Sequence, residues 1–222
     1  MSLLLTRHDA HPFMGMDVAW LLEQRALTRR DHPFLIWVPF DAPEQHYTYG
    51  QFVARVQRIA GGLHARGVQR GERVLIHLDN CAEALLAWYA CNWLGAVAVT
   101  TNARAAGDEL AYYAEHSQAV ACITQPRFAE LVGRHCTGLK WLAVTADDNG
   151  TPPPQPTPRS HHFDALDGTP LPRHAPDPLA PCSVQYTSGT TSRPKGVLWT
   201  HANALWGARV NALHEDLRAE DV

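Results

Sequence analysis

Apolar residues along the chain recur in two alternating rhythms. Leu21, Leu22 and Leu27 line a first helix, which Asp31-His32-Pro33 ends before the apolar run Phe34 to Val38. A turn-rich segment, Pro39 to Gln45, follows. Thr48 and Gln51 stand at capping-box spacing, and Phe52, Val56, Ile59 and Leu63 then return at helical intervals until Gly67. Val74 to Leu78 reads as a strand. Asn80 and Glu83 repeat the capping arrangement before a helix carrying Leu85, Trp88 and Tyr89, and Gly95 stops that helix ahead of the strand Ala96 to Thr100. A helix from Asp108 to His116, a strand from Val120 to Thr124, a short helix from Pro126 to Arg134 and a buried strand from Trp141 to Val144 complete the series. Strands alternating with helices predict the α/β class, with a doubly wound, mostly parallel sheet and helices flanking it.

From Gly150 to Pro181 the rhythm stops, because ten of the sixteen prolines fall there. This stretch reads as an extended surface connector, with Phe163 and Leu166 holding it down. Composition narrows the class further. A chain of 222 residues with 45% hydrophobic and 18% charged residues is neither fibrous nor wholly disordered. Its formal charge of -3 gives no basic field, so nucleic acid is not expected as a partner. Five cysteines, odd in number and mostly in apolar runs, suit buried thiols in a reducing cytoplasm. Leu3, Leu4 and Leu5 are too few for a signal-peptide core. The apolar stretch Cys81 to Thr101 is broken by Glu83, Asn92 and Gly95, so no membrane span is expected.

The chemistry concentrates after the connector. Ser183 to Tyr186 and Val197 to Trp199 read as short strands, and between them runs Thr187-Ser188-Gly189-Thr190-Thr191-Ser192-Arg193-Pro194-Lys195-Gly196. Five hydroxyl residues offer donors, Gly189 and Gly196 permit close backbone approach and positive φ, and Lys195 brings a mobile point charge. Those parts suit a polyphosphate. Of the 19 basic residues only Lys140 and Lys195 are lysines, so a chain that otherwise uses arginine keeps a compact ammonium here. A Walker A loop, G-x-x-x-x-G-K-S/T, does not fit: counting from Gly189, Pro194 takes the place of its second Gly and Gly196 that of its hydroxyl residue. Ser188 lies outside any G-x-S-x-G elbow, and the thirteen histidines show no paired zinc spacing, so no structural metal is expected.

The segment resembles the phosphate-binding motif Y/F-T-S-G-S/T-T-G-x-P-K-G of the adenylate-forming (AMP-binding) superfamily of acyl-CoA synthetases, peptide-synthetase adenylation domains and luciferases. Tyr47-Thr48-Tyr49, Arg70-Gly71-Glu72-Arg73-Val74, Asn80-Cys81-Ala82-Glu83, Leu94-Gly95-Ala96-Val97, Asn102-Ala103-Arg104, Glu109-Leu110 and Thr200-His201-Ala202-Asn203 are similar to further landmarks of that superfamily. Ser192 departs from it, standing where most members have Gly. The variant Thr-Thr-Ser-Arg-Pro-Lys-Gly is similar to the carnitine-CoA and crotonobetaine-CoA ligase branch.

The resemblance implies the N-terminal part of the large domain of an ATP-dependent acid–thiol ligase. A small carboxylic acid attacks MgATP to give acyl-AMP and pyrophosphate, and coenzyme A then displaces AMP. Thr187, Ser188, Gly189, Thr190, Thr191 and Lys195 would hold the ATP phosphates, with Thr190 or Thr191 near Mg²⁺. His201 is open between a structural role and a place in that site. By the same resemblance, residues 1–149 form an α/β subdomain, 150–181 the proline-rich connector, and 182–222 the phosphate-loop hairpin and helix that open the next subdomain.

Leu205, Trp206, Val210, Leu213 and Leu217 give that last helix an apolar face, and the family's catalytic lysine and most of its acyl pocket would lie beyond Val222. The expectation is therefore the front portion of a synthetase, inactive alone, with uncovered apolar surface that promotes self-association. The competing expectation is a non-catalytic nucleotide-binding protein that keeps the phosphate loop, complemented by another chain.

Overall fold

The computed structural model describes residues 11–146, 152–187, 193–218 and 221. Helix α1 (Val18–Thr28) starts at Asp17, whose carboxylate accepts a hydrogen bond from the Trp20 amide at 2.6 Å. Leu22 is buried against the core, whereas Leu27 is exposed. Strand β1 (Pro33–Trp37) then pairs antiparallel with β2 (Gln45–Thr48). The sequence reading missed β2, because four residues containing Gln45 and His46 carry no apolar alternation. Helix α2 (Tyr49–Ala65) opens with the expected box: Thr48 Oγ1 accepts from the Gln51 amide at 3.2 Å, and Gln51 Oε1 accepts from the Thr48 amide at 3.0 Å.

Three βα steps and one further strand follow. They are β3 (Arg73–His77) with α3 (Ala82–Leu94), β4 (Val97–Thr100) with α4 (Gly107–Ser117), β5 (Ala119–Thr124) with α5 (Pro126–His135), and β6 (Trp141–Val144), which leads towards β7 (Ser160–His162). Helix α3 begins at Cys81 without a side-chain cap, one residue past the expected Asn80. It ends as expected at Gly95, whose φ of +80° a side chain would strain. Pro126 fills the first turn of α5. Strand β7 went unpredicted, since Ser160-His161-His162 is polar and exists only by pairing with the backbone of β6.

The sheet runs β7-β6-β5-β3-β4, then β8 (Pro181–Thr187) and β9 (Lys195–Thr200), and every neighbouring pair is parallel except β8 with β9. Alternate residues feed two cores. Val74, Ile76, Ala98, Ala121 and Ile123 pack with Phe52, Val56, Leu86 and Trp93 of α2 and α3, while Leu75, Val99, Cys122 and Leu142 pack with Leu110, Tyr113 and Val132 of α4 and α5. Burial on both faces explains why these strands read as unbroken apolar runs. Among the described residues no helix is long and apolar enough to cross a membrane.

The connector returns from β7 to β8 along the outside of α2, starting with a 3-10 turn at Phe163–Leu166 whose two end residues are buried. Gly61 and Gly62 let it lie there: a Cβ on either would fall 1.8 Å from the Thr169 carbonyl oxygen or 1.9 Å from that of Leu166. The Leu171 amide donates to Gln57 O at 3.0 Å, the Trp93 indole donates to Leu171 O at 2.8 Å, and Arg173 pairs with Glu23 at 2.8 Å. Beyond β9, helix α6 (His201–His214) is capped by Thr200 and Asn203 in a second reciprocal box.

Candidate functional site

A parallel sheet sends all its βα loops to one edge, the carboxyl edge, where ligands of open α/β sheets collect. Strand β8 is parallel to β4, with Ala98 opposite Ser183 and Thr100 opposite Gln185. The loop that leaves β8 therefore opens at the same edge as the loops after β3, β4 and β5. Strand β9 returns antiparallel, with Thr187 directly across from Lys195 and Tyr186 across from Gly196. Cross-strand partners stand about 5 Å apart at Cα, so the first hydroxyl residue and the only lysine of the motif bracket the mouth of the loop. Both are exposed, and among the described residues no carboxylate pairs with Lys195. Ser188, Gly189, Thr190, Thr191 and Ser192 lie outside the described residues.

Gly196 serves a different purpose from the one expected. It sits inside β9 and is not among the glycines with positive φ; a Cβ there would touch the Tyr186 ring and Val184 at 3.4 Å. The small residue makes room for Tyr186 and leaves the turning to other positions.

Helix α4 braces both limbs of the hairpin. Tyr112 Oη donates to the Pro194 carbonyl at 3.1 Å, and the Arg193 guanidinium stands 5.5 Å from the Tyr112 ring centre. On the entering limb, Tyr186 stacks on Tyr113 at 4.2 Å and its hydroxyl meets His116 Nδ1 at 2.9 Å. Half-burial pushes the Tyr186 phenol up to about 12, so it stays a hydrogen-bonding hydroxyl.

The family model for AMP-binding enzymes matches residues 22–222. This chain belongs to the AMP-binding enzyme family. Crotonobetaine/carnitine–CoA ligase of Salmonella paratyphi A is 28% identical over 215 residues, and that of Salmonella agona 29% identical over 222 residues; each match covers 94% of this chain and 41% of the relative. The chain thus spans about two fifths of the length of the curated relatives it matches. In fold it resembles the crystal structure of the anthranilate CoA ligase AuaEII in complex with anthranoyl-AMP, with a TM-score of 0.78 at 22% identity, covering 92% of this chain and 38% of that one.

In this member of the AMP-binding enzyme family, His201 lies at the far end of β9 from Lys195, about 20 Å along the strand. It is buried, its Nδ1 accepts from the Val18 amide at 3.4 Å, and its own amide donates to Ala180 O at 3.1 Å. Burial pushes its pKa down, so it is neutral and ties α6 to the start of α1. Trp93 and Trp206 do not form one aromatic cluster: Trp93 is in the core, whereas Trp206 is 55% exposed on α6 and meets Phe13 edge-on.

A polar group at the carboxyl edge escaped the sequence reading. His77 ends β3, is fully buried, and approaches Thr101 Oγ1 at 2.9 Å through Nδ1. Gln125 Oε1 accepts from the Asp79 amide at 2.9 Å, Thr124 Oγ1 donates to His77 O at 2.9 Å, and Arg127 pairs with Asp79. Burial lowers the His77 pKa to about 4. The available signal was a polar residue closing each apolar strand: His77, Thr101, Thr124 and Thr145.

Proposed function

We propose that this chain carries the ATP-phosphate site of an AMP-forming acid–thiol ligase. One observation carries the reading: Thr187 and Lys195 face each other across the mouth of a Ser/Thr/Gly loop at the carboxyl edge of a parallel sheet. Thr187, Ser188, Gly189, Thr190, Thr191 and Lys195 would hold the phosphates of ATP, and Thr190 or Thr191 the Mg²⁺ ion that shares their charge. A carboxylate oxygen of a small acid bonds to the α-phosphorus as the bond to pyrophosphate breaks. Lys195 offsets the charge that builds on the leaving pyrophosphate, a task of positioning and electrostatics. The coenzyme A thiolate then attacks the acyl carbonyl and AMP departs. His201 has a structural role in this reading.

Further parts of the proposal follow from the surface and the thiols. The chain associates with itself through β9, α6 and the turn after α6, where Val197, Leu198, Trp206, Val210, Leu213 and Leu217 are exposed. Its setting is the cytoplasm, supported by five buried cysteines. The test of function is ATP–pyrophosphate exchange with a panel of small carboxylic acids. Acid-dependent exchange supports the ligase reading and overturns the expectation that the chain is inactive alone, MgATP binding without exchange supports the phosphate site but no catalysis by this chain, and absence of both overturns the proposal.

A further inference from the structure

Lys195 can meet a phosphate only if the peptide that carries it is held in place, yet β9 is an edge strand with Lys195 at its exposed first position. The residue before it is proline, which has no amide hydrogen to donate to β8. Its carbonyl is held instead by the Tyr112 hydroxyl, 3.1 Å away and partly buried. The same ring faces Arg193 at 5.5 Å, and Asp108, Glu109 and Glu115 share a cleft of about 430 Å³ with Arg193 and Pro194. An aromatic and acidic face of α4 thus takes the arginine and the proline carbonyl, and Lys195 is left as the cation at the loop's mouth. Tyr112, Tyr113 and His116 occupy adjacent positions on α4, so one helix face grips the entering limb through Tyr186 and the leaving limb through Pro194.

We infer that Tyr112 is a positioning residue for the phosphate loop, acting through the Pro194 carbonyl to fix the backbone of Lys195. The inference rests on the proposed phosphate site for its functional consequence. Tyr112→Phe deletes the hydroxyl and keeps the ring, so the core and the contact with Arg193 survive.

Two measurements on the full 222-residue chain separate the inference from the reading beneath it. Limited trypsin cleavage of the Lys195–Gly196 bond, followed by mass spectrometry, reports release of the limb without any ligand. Losing one hydrogen bond predicts cleavage about fivefold faster in Tyr112→Phe, with the melting midpoint held within about 2 °C. Calorimetric titration with MgATP predicts binding about threefold to tenfold weaker. Unchanged cleavage overturns the inference, and so does faster cleavage with unchanged affinity in a chain that binds MgATP. Faster cleavage in a chain whose parent form binds no MgATP leaves Tyr112 as the clamp of this hairpin and overturns the phosphate reading instead.

Discussion

The α2–α3 face of the sheet and its β9 end present opposite surfaces. On the α2–α3 face, Phe52, Val56, Ile59, Leu63, Leu86 and Trp93 are all essentially inaccessible, and the connector closes over α2 through the gap at Gly61 and Gly62. At the β9–α6 end, Trp206, Val210 and Leu213 are 55%, 45% and 75% exposed, and among the described residues no strand pairs with the outer edge of β9. Both regions obey the same rules of capping and pairing, as the boxes at Thr48 and Thr200 show. The difference lies in what covers the apolar side. Local sequence signals build a helix whether or not its apolar face is covered, and the proposed phosphate site sits at the less covered end.

The contrast can be broken most forcefully on the closed face. Phe52 is fully buried between Phe34 at 4.5 Å and Tyr89 at 5.5 Å, so Phe52→Ala should cost about 3–5 kcal/mol in urea unfolding. A loss below about 1 kcal/mol would show that this core is loosely packed.

Acid should come next. His77 has its pKa lowered to about 4 and His201 is also lowered, both by burial, against about 6.5 for an unfolded histidine. The unfolded chain therefore binds more protons below pH 6.5. The contribution is complete above about pH 6.5 and declines as pH falls towards 4, by about 1.4 kcal/mol per pH unit for each histidine. Urea midpoints measured from pH 7.5 to 4.5 should show that slope, and His201→Gln should remove about half of it. A flat profile would mean that neither imidazole is held neutral.

The open end should respond least in stability. Leu213→Ser together with Val210→Ser should shift the unfolding free energy by less than about 0.5 kcal/mol while lowering the sedimentation coefficient at micromolar concentration. An unchanged sedimentation profile would place any association elsewhere on the molecule.

Much of this was legible in the residues. Strands buried on both faces announce themselves as apolar runs, and Pro126, Gly95 and Thr48 mark boundaries by chemistry that acts within a few residues. Strands β2 and β7 were not legible, because backbone pairing with β1 and β6 creates them and their own residues are polar. The motif itself was plain, including the isolation of Lys195 among arginines. Its support was hidden: the grip of Tyr112 on Pro194 joins residues 82 positions apart. The location of His201 likewise depended on knowing that β9 runs away from the loop, a matter of sheet register that spacing alone does not supply.

The central claim is that Lys195 meets the phosphates of ATP at the mouth of the β8–β9 loop. Calorimetric titration of MgATP against the parent chain, Lys195→Ala and Lys140→Ala tests it most directly, because Lys140 is the other lysine and lies 3.6 Å from Glu72, away from the loop. The account predicts that Lys140→Ala binds like the parent while Lys195→Ala binds at least about tenfold more weakly, with both melting like the parent. Equal binding by all three chains would contradict it.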